Sequence, residues 1–120
     1  MYTDIKTFED ACKVQNLDPA ALPDFSMLPT KHQKAMLAVC KLVIVNDALN
    51  GDWKADWNNS DEYKYFPWFD MEGGFVYDGC SYSGSVSYVG SRLCFHSRDI
   101  AKYAGTQFQD LYEEYFTLKE

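Results

Sequence analysis

Only His32 and His96 supply an imidazole to this chain, so acid–base or nucleophilic chemistry near neutral pH would depend on two positions. Serines crowd the stretch from Ser81 to Ser97, close to His96 in sequence. No Gly-x-Ser-x-Gly elbow brackets any of them, since Gly79, Gly84 and Gly90 lie at the wrong spacing. A Ser–His or Cys–His pair therefore requires a coincidence of folding, and His32 falls in the first turn of a helix, where solvent is its natural partner. Metal chemistry is no better supplied. Two histidines and four scattered cysteines make no zinc spacing. Asp56, Asn58, Ser60 and Glu62 put oxygens at every other position, as in a calcium loop. Asp61 stands where that loop needs glycine, and no glutamate closes it at the twelfth position. No phosphate-binding glycine loop is present. The reading is that there is no catalytic residue, no metal site and no cofactor.

Two arginines remain, Arg92 and Arg98. Arginine suits planar, bidentate recognition of phosphate or carboxylate. For Arg92 the competing expectation is an internal ion pair with Asp70 or Asp78, because a half-buried arginine is usually paired. Around it stands an aromatic surplus: Trp53, Trp57, Tyr63, Tyr65, Phe66, Trp68, Phe75, Tyr77, Tyr82 and Tyr88. Strand alternation lets only half of such a set face one core. The rest are available for a protein interface or for stacking on rings. The candidate binding residues are Trp53, Trp57, Tyr65, Trp68, Tyr88, Arg92 and His96. The leading expectation is a non-enzymatic interaction module whose aromatic sheet face meets a protein partner or a second copy. The alternative is a binder or sequestering protein for a small anionic ligand such as a nucleotide. A flat aromatic face favours the first, and a concave pocket holding Arg92 favours the second.

The elements that must position these residues are legible along the chain. Thr7-Phe8-Glu9-Asp10 has capping-box form and opens a first helix, which Asn16-Leu17-Asp18-Pro19 ends. Pro19, Pro23 and Pro29 punctuate a connector. A second helix begins at Pro29 or Thr30, with Thr30 and Gln33 at capping-box spacing, and runs to Asn50 before Gly51. Met36, Val39, Cys40, Leu42, Val43, Val45 and Leu49 make it apolar over more than half its circumference, as a central helix should be. Tyr63 to Phe69 has strand composition, with Pro67 marking an edge or a bulge. Gly73-Gly74 turns into Phe75-Val76-Tyr77, and Gly79 to Gly84 reads as a loop. A last strand, Val86 to His96, would point Tyr88, Arg92, Cys94 and His96 to one face. Lys64, Phe66 and Trp68 share that face if the register cooperates. Ser97 caps a terminal helix of five amphipathic turns. The predicted fold is α+β, one domain over 1–120, with helices packed on one face of a small three-stranded antiparallel sheet in the order α-α-β-β-β-α.

Composition limits the setting. For 120 residues, surface scaling leaves about 6,600 Å² exposed once folded, enough burial for a core without staples. A net charge of −7 argues against non-specific nucleic-acid binding. The longest apolar stretch, Ala35 to Val45, is too short to span a bilayer, and the N-terminus lacks a secretory pattern. Four cysteines without a CxxC then read as free thiols in the cytoplasm.

Three blocks carry a resemblance. They are Leu28-Pro29-Thr30-Lys31-His32-Gln33-Lys34-Ala35; Ala48-Leu49-Asn50-Gly51-Asp52-Trp53 through Tyr65-Phe66-Pro67-Trp68-Phe69; and Val89-Gly90-Ser91-Arg92-Leu93-Cys94-Phe95 through Tyr103-Ala104-Gly105-Thr106-Gln107-Phe108. Together the chain resembles a family of small uncharacterised proteins of gut Bacteroidetes bacteriophages and prophages. The resemblance implies a phage or prophage accessory protein acting in the host cytoplasm. That family has no established activity, so no site residue is carried over.

Overall fold

Thr7 opens the first helix as its sequence requires. In the computed structural model, which describes residues 1–118, the Thr7 hydroxyl accepts from the Asp10 amide at 3.0 Å. The Asp10 carboxylate accepts in return from the Thr7 amide at 3.2 Å. A short 3-10 turn (Tyr2–Asp4) precedes this helix, α1 (Phe8–Val14). Asn16 ends it in the left-handed region at φ 57°, which asparagine tolerates. Helix α2 (Thr30–Asn50) stops at Gly51, also at positive φ. Its expected capping box does not form. Pro29 occupies the cap position, which leaves Thr30 inside the helix, and Gln33 donates to the Leu28 carbonyl instead. The buried stripe of α2 is Ala38, Leu42, Val45, Asn46 and Leu49, whereas Met36, Val39, Cys40 and Val43 are only half-buried.

Strands β1 (Lys64–Asp70) and β2 (Val76–Ser83) pair antiparallel through the turn at Gly73 and Gly74. The register slips between Pro67 and Phe69, so Trp68 sits in a bulge beside the proline, which has no amide hydrogen to donate. Strand β2 continues through residues 79–83, where a loop was expected, because Lys64, Tyr65 and Phe66 pair with Ser83, Tyr82 and Ser81.

The three-stranded sheet is not formed. The sheet has two strands, and from the expected strand 86–96 only Phe95 makes a bridge. It exchanges hydrogen bonds of 2.7 and 3.0 Å with Tyr65. Elsewhere in that segment the backbone is claimed by side chains, which compete with a ladder. Ser87 Oγ accepts from the amides of Val89 and Gly90, and Gly90 turns at φ 76°. The Cys94 carbonyl accepts from the side-chain amides of Asn46 and Asn50, and the His96 amide donates to Asn50 Oδ1.

Ser97 does cap the terminal helix, accepting from the Ile100 amide. That helix is interrupted at Phe108, giving α3 (Arg98–Gln107) and α4 (Gln109–Phe116). The element order is thus α-α-β-β-α-α, an α+β arrangement of four α-helices and one hairpin among the described residues. Helix α2 packs against α1 and α4, and α3 lies on both strands. Ile5, Phe8, Leu42, Val45, Phe95, Phe108 and Tyr112 form the centre of the core. At the break, the Gln109 side chain accepts from the Tyr77 amide and donates to the Phe75 carbonyl, occupying backbone groups that would otherwise invite another strand.

Candidate functional site

The loop after α2 is built around its own polar groups. Asp56 Oδ1 accepts from the Asn58 amide, and Asn59 Oδ1 accepts from the Asp61 amide. Glu62 accepts from the Asp56 amide at 2.8 Å and from the Trp53 indole N–H at 3.3 Å. The Asp56 amide does most to hold the Glu62 carboxyl below its ordinary range, with the Trp53 N–H and Lys64 adding to the effect. Oxygens that a calcium ion would need are therefore largely committed to the loop itself.

Beneath this loop Lys64 is 0 % exposed. Its ammonium donates to the carbonyls of Asn59 and Gly84, both at 2.8 Å, and lies 3.8 Å from Glu62 Oε1. The Trp57 ring sits over it, with its centroid 5.1 Å away. Two strong hydrogen bonds, a partial ion pair and a ring face offset the desolvation of a buried ammonium. Lys64 thereby ties the Trp loop to the end of β2. Gly84 packs so closely on Ser60 that a Cβ there would meet the Ser60 carbonyl oxygen at 2.9 Å.

Above this support the surface is concave. A groove of about 540 Å³ runs along Val43, Asp47 and Asn50 of α2 and past Trp53, Lys54, Ala55, Ser91 and Arg92. The three helix residues fall on one stripe because their spacing is four and three. Trp53 stacks on His96, with ring centroids 5.2 Å apart and planes 13° from parallel. Trp57 donates its indole N–H to Ser91 Oγ at 2.6 Å and so fixes the neighbouring wall. Behind the wall is Cys94, whose thiol burial pushes up to about 11. Protonated at neutral pH, it is a packing group and a weak donor to the Ser91 carbonyl rather than a nucleophile.

Four of the seven sequence-derived candidates meet at this place: Trp53 and Arg92 line the groove, while Trp57 and His96 brace it. The other three lie elsewhere. Tyr65 carries Arg98 over its ring at 5.2 Å. Trp68 and Tyr88 flank Phe66, with centroids 5.4 and 5.8 Å from it. The expected common face of Tyr88, Arg92 and His96 does not exist, because their segment is not a strand. Arg92 does not take up its expected ion pair with Asp70 or Asp78. It is exposed and makes no hydrogen bond or ion pair among the described residues. Sequence reasoning missed Asp47, Lys54, Ser91 and the burial of Lys64. A signal for Asp47 was present, since Asn46, Asp47 and Asn50 are polar directly after the apolar run Leu42 to Val45.

Compared with known proteins, the chain matches no family model, no curated protein and no solved structure. No helix among the described residues is long and apolar enough to cross a membrane.

Proposed function

We propose that this chain is a non-enzymatic binding protein whose groove beside Trp53 takes a small, planar, anionic molecule. One observation carries the reading: an arginine without a partner among the described residues opens onto a concave groove that also holds a tryptophan ring. The groove volume falls within the ordinary range for ligand pockets. An unpaired guanidinium is free to take a phosphate or carboxylate, and the ring offers a stacking surface. Sequestration of such a ligand in a host cytoplasm is the role that the resemblance to phage and prophage proteins suggests, and it belongs to the same proposal.

The test uses 1-naphthyl phosphate, a planar anion, followed through amide and Trp indole shifts by NMR. Binding should move the Trp53 indole signal and be lost in Arg92→Ala. That variant should keep its unfolding free energy within about 0.5 kcal/mol, because an exposed, unpaired arginine contributes little to stability. No shift at any concentration, or equal binding by the variant, would remove the groove from consideration.

A second reading rests on a different observation. Tyr88 (75 % exposed) and Trp68 (48 %) stand against Phe66 as open apolar surface. That surface suits a protein partner or a second copy. A Trp68→Ser/Tyr88→Ser double variant that loses partner binding or self-association, with the groove still functional, would favour it.

A further inference from the structure

Resting on the groove reading, we infer that the ligand is a guanine nucleotide, read by Asp47 on its donor edge and by Arg92 and Lys54 on its phosphate. The inference follows from which lining groups are already committed. Asn50 spends both ends of its side-chain amide, on the Cys94 carbonyl and the His96 amide. Trp53 spends its N–H on Glu62 and one ring face on His96, so only the other face remains. Ser91 Oγ accepts from Trp57 and keeps its own hydrogen to donate. Among the described residues, the side chains of Asp47, Lys54 and Arg92 make no hydrogen bond or ion pair. The uncommitted set is therefore one carboxylate, two cations, one hydroxyl hydrogen and one ring face.

Cations alone would suit any anion. The carboxylate is the discriminating group, because an anionic ligand must offer hydrogen-bond donors to it or be repelled. Asp47 also lies in the last turn of α2, where the helix end adds negative partial charge. The ligand must then carry an anion for the cations, a planar ring for Trp53 and hydrogen-bond donors for the carboxylate. Guanine nucleotides do so: N1–H and the 2-amino group are adjacent donors that one carboxylate can accept in a bidentate pair. Adenine presents a donor beside an acceptor on its corresponding edge, which would set a ring nitrogen lone pair against the carboxylate. Hypoxanthine keeps N1–H and lacks the amino group.

Calorimetric titration of the whole chain with guanosine, inosine and adenosine 5′-monophosphates tests the assignment, alongside 1-naphthyl phosphate. The expected order of affinity is guanosine, then inosine, then adenosine, with at least a tenfold span. Asp47→Asn should collapse the span to less than threefold, and Lys54→Ala should weaken all three nucleotides alike. Amide spectra of each variant confirm that the fold persists. Equal binding of guanosine and adenosine monophosphates overturns the guanine assignment and leaves the groove standing. Binding of 1-naphthyl phosphate without any nucleotide does the same. If neither the nucleotides nor 1-naphthyl phosphate binds, both the assignment and the groove reading fall.

Discussion

Lys64 shows how much one residue decides here. Its ammonium donates to two backbone carbonyls; on its removal the Asn59 carbonyl keeps the Glu62 amide, whereas the Gly84 carbonyl loses its donor. An orphaned buried group costs about 1–3 kcal/mol, so Lys64→Met should lower stability by a similar amount. Urea denaturation measures the loss, and acrylamide quenching should show Trp57 newly accessible. An unchanged midpoint would mean that the Gly84 carbonyl finds another donor. Cys94 makes a prediction about pH. Its thiol titrates near 11 in the folded protein against an ordinary 9.0, raised chiefly by burial. The folded state thus favours the protonated thiol, and that contribution is intact below pH 9. As pH rises from 9 toward 11 the unfolded chain ionises first and the contribution is lost. The loss is on the order of 2–3 kcal/mol. Cys94→Ala should lack this component, so its stability should fall less than the parent's across the same window.

At the scale of elements, the seating of α3 on the hairpin turns on Gly105. Alanine in a helix interior is ordinarily better than glycine by about 1 kcal/mol. Here an added Cβ would lie 2.7 Å from Pro67 Cβ and 2.8 Å from Tyr77 Cδ1. Pro67 is held in the bulged strand and Tyr77 is half-buried, so neither yields easily. Overpacking of this kind costs about 1–3 kcal/mol, which exceeds the propensity gain. Gly105→Ala should therefore destabilise, and a raised melting temperature would show that helix and sheet can separate without loss. Elements set by local chemistry were legible beforehand: the Thr7 and Ser97 caps, the Gly51 terminus of α2 and the Gly73-Gly74 turn. The 86–96 segment was not. Its alternating pattern fits a strand, but Asn46, Asn50 and Ser87 take its backbone groups, and only Phe95 is left to pair.

For the whole molecule, the exposed surface is 7579 Å², roughly 15 % above the scaling value for a chain of this size. The open connector and the irregular 84–93 segment hold apolar residues such as Met27, Val86 and Tyr88 in solvent. Stability therefore depends on the smaller set that is fully covered. Leu42 is buried at the contact of α2 with the rest of the core, whereas Val43 lines the groove. Leu42→Ala should cost about 2–5 kcal/mol, and Val43→Ala clearly less, as measured by chemical denaturation. Equal losses would mean that the groove wall is as tightly packed as the core.

What the sequence determined by itself was whatever neighbouring residues decide together. Capping pairs, helical periodicity, a proline bulge and glycine turns act over a few positions, and an α+β composition follows from them. The site was half legible, because Trp53, Trp57, Arg92 and His96 were singled out by residue type. Only the tertiary structure decided that they meet, and that Tyr65, Trp68 and Tyr88 do not join them. It also left Arg92 without an ion pair among the described residues and buried Lys64 completely. The physical reason is competition at long sequence separation. Asn46 and Asn50 reach Cys94 and His96 across more than forty positions, and those hydrogen bonds displace a strand that local propensity alone would have built.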